Sequence, residues 1–241
     1  MSMAIAKFFI ESSVELENNV LLTLSEQESH HAAKVRRLHL NDAVMLLNGQ
    51  GVKAQALIET INKKQVQVRV QSIEYLPAPR KKITVAVAIP KGDRQKYLFD
   101  MLTQLGVARI TPLLCDFSVS AYSTKLMPKW QRIITEACKQ SENPFLPLLG
   151  EPLSPQEYVL MHQSEKKSAT QSQLFFADGQ GESMSHYALS NDVHVMIGPE
   201  GGFSPAEVSY FEQQQVKKIC LGEHILRIET AAVAAAASFI S

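Results

Sequence analysis

Cysteine is scarce in this chain: Cys115, Cys138 and Cys220 stand far apart, odd in number, with no Cys-x-x-Cys pair and no histidine at ligand spacing. That excludes a disulfide framework and a structural zinc site, and sets the expectation of a reduced, cytoplasmic compartment and no metal. Long apolar runs are missing as well. The longest small apolar stretch, Ala231 to Ala237 with Phe239 and Ile240 behind it, falls far short of the roughly 20 residues that cross a bilayer. The N-terminus shows no cleavable apolar core, so no membrane role is expected. Nor is there an excess of one charge: the formal net charge is zero. Residues 1–82 lean basic and residues 83–241 acidic, a bias compatible with nucleic acid without demanding it.

What is present is an ordinary globular composition, 45% hydrophobic and 20% charged over 241 residues, enough for one large domain or two modest ones. The front third alternates. Gln65 to Gln71 sets valines on one face and polar groups on the other, as a half-buried strand requires, and Lys53 to Ile61 reads as a second strand. Asn48-Gly49-Gln50-Gly51 and Asn62-Lys63-Lys64 supply turn chemistry around it. Ser25-x-x-Glu28 has the form of a capping box and leads into a short helix with a basic face, Lys34, Arg36 and Arg37. Residues 1–76 therefore read as a small β-rich domain, a barrel. Two prolines and a charge run over residues 77–82 break every periodicity and mark a linker.

From residue 83 continuous apolar strands alternate with helices. Strands are expected at 83–90, 109–114, 174–178, 193–197 and 217–221, with helices near 94–105 and 129–140, from Pro205 and from about Glu229. This predicts an α/β fold with a mostly parallel sheet covered on both faces. Gln163 to Gln173, rich in Ser, Gln and Lys, reads as a surface loop.

Two stretches carry chemistry. In Met196-Ile197-Gly198-Pro199-Glu200-Gly201-Gly202-Phe203 a glycine-rich loop follows a strand, but it has neither the Gly-x-Gly-x-x-Gly spacing nor a Lys-Ser/Thr end. A standard dinucleotide or triphosphate site is disfavoured. Ser204, Pro205 and Glu207 then form a second Ser-x-x-Glu start, placing residues 198–203 at the carboxyl end of a strand, where open α/β sheets bind ligands. In the second stretch, Leu221-Gly222 opens a loop, Ile225-Leu226 meet Arg227, and Glu229-Thr230 precede an alanine-rich helix. An alanine face lets a backbone or flat ligand approach closely; a plainly packed C-terminal helix is the simpler alternative.

Together, Ile197-Gly198-Pro199-Glu200-Gly201-Gly202 and Leu221-Gly222-x-x-Ile225-Leu226-Arg227-x-Glu229-Thr230-Ala231 resemble the bacterial ribosomal small-subunit methyltransferase E family of the SPOUT class. Lys91-Gly92-Asp93-Arg94, the helix from Lys129 to Ser141 and the N-terminal segment from Lys34 extend the likeness over nearly the whole chain. The resemblance implies a trefoil-knotted, mostly parallel sheet behind a PUA-like barrel. It implies S-adenosyl-L-methionine held by Ile197, Gly198, Pro199, Glu200, Gly201, Gly202, Leu221, Gly222, Ile225, Leu226 and Thr230. It also implies a homodimer and methylation of a uridine N3 in 16S rRNA of the small subunit.

Methylating N3 means managing its proton and the charge that then spreads onto the base carbonyls. Arg227 is the first candidate to stabilise that charge, and Glu200 or Glu229 to act as base or to orient the arginine. Arg94 is a candidate for phosphate or base, and Lys7, Lys34, Arg36, Arg37 and Lys53 for phosphate contacts. The chain departs from the family where arginines are usual: Phe117 precedes Ser118, Glu142 follows the Lys139-Gln140-Ser141 helix, and His224 stands in the second stretch. Another RNA target, or a non-catalytic assembly factor, are the competing expectations.

Overall fold

A computed structural model describes residues 5–62, 65–119, 123–166 and 172–240. The chain divides into two compact units, residues 1–78 with 138–146, and residues 79–137 with 147–241.

The first unit holds β1 (Ala6–Phe9), β2 (Leu21–Thr23), α1 (Glu26–His30), β3 (Ala43–Leu47), β4 (Val52–Ile61) and β5 (Val66–Tyr75). The strands run β1-β3-β4-β5-β2, with β1 parallel to β3 and the other pairs antiparallel. No ladder joins β1 to β2 among the described residues, so hydrogen bonding leaves the sheet open there. The valine alternation is realised: Val66, Val68 and Val70 are buried with Phe8, Leu46 and Ile58 in one core. Asn48 Oδ1 accepts from the backbone of Gln50 and Val52, and Gly49 and Gly51 take positive φ, so the β3–β4 turn uses the predicted residues. At the next turn Asn62 Oδ1 accepts from Gln65 N; Lys63 and Lys64 lie outside the described residues.

Residues 138–146 complete this unit through long-range bonds that no local pattern announces. Gly51 N donates to Pro144 O, Leu146 N to Gly49 O, and Lys139 Nζ lies 3.0 Å from the buried Glu28 carboxylate.

The second unit contains β6 (Lys82–Ala88), α2 (Arg94–Gln104), β7 (Arg109–Leu113), α3 (Met127–Ser141, its last turn belonging to the first unit), β8 (Leu148–Leu149) and α4 (Pro155–Lys166). These are followed by β9 (Ser172–Ser183), β10 (Asp192–Ile197), α5 (Pro205–Gln213), β11 (Lys217–Cys220) and α6 (Ile228–Ile240). The sheet order is β11-β9-β10-β6-β7-β8, and every pairing is parallel. Consecutive residues of β6 and β10 are buried, which means both faces of the central strands are covered. Helix α6 packs on β6, β10 and α2, while α4 packs on α5. The alanine face of α6 serves that packing: Ala232, Ala235 and Ala236 have no exposed surface.

Of the expected loop at 163–173, the described residues are regular. Residues 163–166 finish α4 and 172–173 begin β9, with 167–171 outside the described residues. Helix α4 carries its own Ser-x-x-Glu start, Ser154 to Glu157, with Pro155 at its first position, a signal that composition masked. No described helix is long and apolar enough to cross a membrane.

Candidate active site

The strand order reverses its direction of growth between β6 and β10. In a parallel sheet the loops leaving two such neighbours diverge at their carboxyl ends and leave a crevice. Three segments meet there: the start of α2 after β6, residues 198–203 after β10, and residues 221–227 after β11. The last two, with residues 177–179 of β9 and Ile228 and Ala231 of α6, line a cavity of about 360 Å³, and the start of α2 reaches it only through the bond of Arg94 to Glu200. All of the sequence-nominated cofactor residues line it except Thr230, which is exposed on the first turn of α6. Sequence reasoning missed Ala177, Asp178 and Gly179, although an Asp-Gly pair closing an apolar strand was a usable signal. A larger hollow of about 690 Å³ opens at the amino ends of β9 and β11, beside His162, Ser172 and Lys217. The crevice of a parallel sheet lies at the other end, where the glycine loops are.

Each loop is fixed by local chemistry. Ser204 Oγ accepts from Glu207 N at 3.2 Å and Glu207 Oε2 accepts from Ser204 N at 2.7 Å, a reciprocal cap with Pro205 at the first helical position. The buried Glu207 also accepts from Asp116 N, and Ser204 donates to Asp116, tying the loop to the segment after β7. Gly202 has φ +75°, which favours glycine. A Cβ at Gly198 would press on the Phe203 ring at 3.2 Å. At Gly222 neither reason holds: φ is not positive and a Cβ would meet nothing within 4 Å. That position faces open space at the cavity.

The charged groups are arranged differently from the sequence expectation. Glu200 and Glu229 do not engage Arg227; they flank Arg94. Arg94 Nη2 donates to Glu200 Oε1 at 2.9 Å, and its Nη1 stands 3.8 Å from Glu229 Oε2. That oxygen of Glu229 is buried without a hydrogen-bond partner among the described residues. Helix α2 is anchored just beyond, where Trp130 Nε1 donates to Gln95 Oε1 at 3.0 Å and the indole stacks on Phe99. Arg227 is exposed, and no ion pair to it occurs among the described residues. Leu221 and Leu226 are half-buried at the cavity while Ile225 is 99% exposed at its mouth. Burial pushes the Cys115 thiol well above its usual range, with the Glu207 carboxylate adding to the effect, so it offers no thiolate nucleophile. No cluster of metal-ligating side chains occurs among the described residues.

Of the residues nominated for phosphate contact in the first unit, Lys34, Arg36 and Arg37 are exposed, and Lys53 is half-buried. Lys7 is not free: its Nζ pairs with Glu142 at 2.8 Å. Lys7 holds that carboxyl below the usual range, with Lys53 contributing. Phe117 sits beside Gly201, 3.6 Å from where a Cβ there would lie.

Residues 77–240 match the RNA methyltransferase domain and residues 24–71 the RNA methyltransferase PUA domain. Ribosomal RNA small subunit methyltransferase E of Rickettsia conorii is 31% identical, the match covering 92% of this chain and 89% of that protein. Its counterpart in a Synechocystis species is 29% identical over 90% and 71%. Among solved structures, a Legionella pneumophila protein assigned as a methyltransferase and solved with the cofactor SAM bound has a TM-score of 0.87 at 29% identity, covering 98% of this chain and 97% of that one. The Neisseria gonorrhoeae methyltransferase E, 22% identical over 98% and 96% of the two chains, shares the fold at a TM-score of 0.88. With a parallel-sheet domain behind a PUA domain, glycine loops at the crevice and these relatives over nearly its full length, the chain belongs to the ribosomal RNA small subunit methyltransferase E family of RNA methyltransferases.

Proposed function

We propose that this protein uses S-adenosylmethionine to methylate N3 of one uridine in 16S rRNA of the small ribosomal subunit. The observation that carries the reading is the cavity between the 197–203 and 220–226 segments, with open space left at Gly222, in a chain of this family. Its volume of about 360 Å³ suits a small-molecule site. When bound, S-adenosylmethionine supplies a methyl carbon on a sulfonium sulfur that departs with the bonding pair as a neutral thioether. Backbone groups of Gly198, Pro199, Gly201, Gly202 and Gly222 would hold it, Ile197, Leu221 and Leu226 would wall it from water, and the exposed Ile225 would cover it at the mouth, with Thr230 at the adjoining helix start.

N3 lies on the pairing edge of the base, so the target uridine is unpaired or extruded before reaction. The sequence nominates Arg227, Glu200 and Glu229 for handling its proton and charge, and the fold sets both carboxylates against Arg94. The exposed Lys34, Arg36 and Arg37, with Lys53 in support, give a salt-sensitive phosphate contact. Lys7, neutralised by Glu142, adds little to it. Membership of the family also leads us to expect a trefoil knot in the last segments, a cytoplasmic location, and a homodimer, checked by mass in solution.

The test is transfer of labelled methyl groups to small subunits from cells lacking this enzyme, followed by nucleoside mass spectrometry. One site of 3-methyluridine is the expected result. No incorporation, on subunits that a known family member methylates, overturns the reading.

A further inference from the structure

Resting on the uridine reading above, we propose that Arg94 is a catalytic residue whose guanidinium meets the carbonyl oxygen beside N3 of the target base, with Glu200 and Glu229 as its positioning residues. Arg94 opens α2 at the carboxyl end of β6, beside the loop that leaves β10. One arm donates to Glu200 at 2.9 Å and another faces Glu229 at 3.8 Å. Glu229 is 8% exposed, and its Oε2 is buried with no hydrogen bond among the described residues. A buried polar oxygen without a donor costs free energy. Glu229 stands next to Ile228, and Arg94 holds Glu200; both Ile228 and Glu200 line the cavity.

The two carboxylates orient a group that has five N–H donors in one plane, and the side chain remains 31% exposed, leaving donors for an incoming base. Loss of the N3 proton to water spreads negative charge onto the flanking carbonyl oxygens. A donor already oriented stabilises that charge with little reorganisation. Arg227 is exposed and must first lose rotamer freedom to do the same, which suits it to holding RNA rather than meeting the developing charge.

The experiment measures turnover on small ribosomal subunits, and S-adenosylmethionine binding by calorimetry, for wild type, Arg94→Ala, Arg94→Lys and Glu229→Gln. Arg94→Ala lowers kcat about 10²- to 10³-fold, as removal of one charge-stabilising donor does, while the cofactor Kd moves by less than about threefold. Arg94→Lys keeps the charge beside both carboxylates and guards against a folding failure, yet loses at least about tenfold because it lacks the planar fork. Added methylguanidinium restores Arg94→Ala by about tenfold, and raising the pH narrows its gap to wild type as the base deprotonates unaided. A merely structural loss responds to neither. Glu229→Gln lowers kcat by about tenfold with KM unchanged. Arg94→Ala within about threefold of wild type, or a loss confined to KM, overturns the proposal and makes Arg94 a phosphate contact or a structural group. Wild type that forms no 3-methyluridine overturns the functional reading itself; active wild type with an indifferent Arg94 overturns this inference alone.

Discussion

Helices α1 and α5 begin with the same four-residue pattern, Ser-x-x-Glu, and treat its glutamate in opposite ways. At α5 the exchange is reciprocal: Ser204 caps Glu207 N, and Glu207 returns to Ser204 N while also reaching Asp116 N. At α1 only the serine half forms, with Ser25 Oγ accepting from Glu28 N at 3.3 Å. Glu28 instead turns inward, accepting from Phe9 N and pairing with Lys139, a residue 111 positions away. The serine cap joins groups three residues apart, so both helices make it. The glutamate has a longer reach and goes to whichever donor offers more, and a buried ammonium offers more than an exposed amide. In function the difference matters: Glu207 fixes the end of the glycine loop, whereas Glu28 binds residues 138–146 into the first unit.

The sharpest way to break this contrast is at Lys139. Lys139→Ala leaves Glu28 buried without its cation and should cost about 3–5 kcal/mol, read as a fall in the denaturant midpoint. Adding Glu28→Gln should recover most of that loss, because the amide still accepts from Phe9 N and carries no charge. If the double variant is no better than the single one, the pair is not what Glu28 is there for. At α5 the expected effect is smaller. Glu207→Ala strands the amides of Ser204 and Asp116 and should cost about 1–3 kcal/mol. Because the same bonds seat the 198–203 loop, it should also weaken S-adenosylmethionine binding, measured by calorimetry. The matching change at α1, Ser25→Ala, should cost about 1 kcal/mol and leave cofactor binding alone.

The smallest effect is expected at α4, the third Ser-x-x-Glu start and the most exposed. The backbone N–H and hydroxyl of Ser154 hold the Glu157 carboxyl below its usual range. A carboxyl whose folded pKa is depressed adds stability above its unfolded value, about 4.3, and loses it as the pH falls through the folded value. Titration followed by NMR should find Glu157 below the ordinary range, and Ser154→Ala should return it there. A Glu157 that titrates normally in the unaltered protein would remove α4 from the comparison.

Much of the site is legible in the amino-acid sequence. Gly198 to Gly202 and Leu221 to Leu226 line the cavity because strand-to-loop transitions are written in local periodicity and in helix-start residues, and parallel strands deliver such loops to one end. The β9 bend at Asp178 and Gly179 is hidden from such a reading because that strand runs on to Ser183, past the point where its apolar run stops. The alanine-rich helix illustrates the limit of composition: its small residues admit close neighbours, and these are the chain's own sheet and α2 at Ala232, Ala235 and Ala236 and the cavity at Ala231.

The sequence by itself determined the strand and helix alternation, the crevice loops, the caps and the family to which the chain belongs, all of which depend on residues within a few positions of one another or on motifs that follow in order. Tertiary structure alone decided the partners of the charged groups. Arg94 meets Glu200 across 106 positions, Glu28 meets Lys139 across 111, and the segment 138–146 joins a unit that otherwise ends near residue 78. Such pairings follow from sheet order and from which buried oxygen most needs a donor, quantities that exist only once the chain has closed on itself.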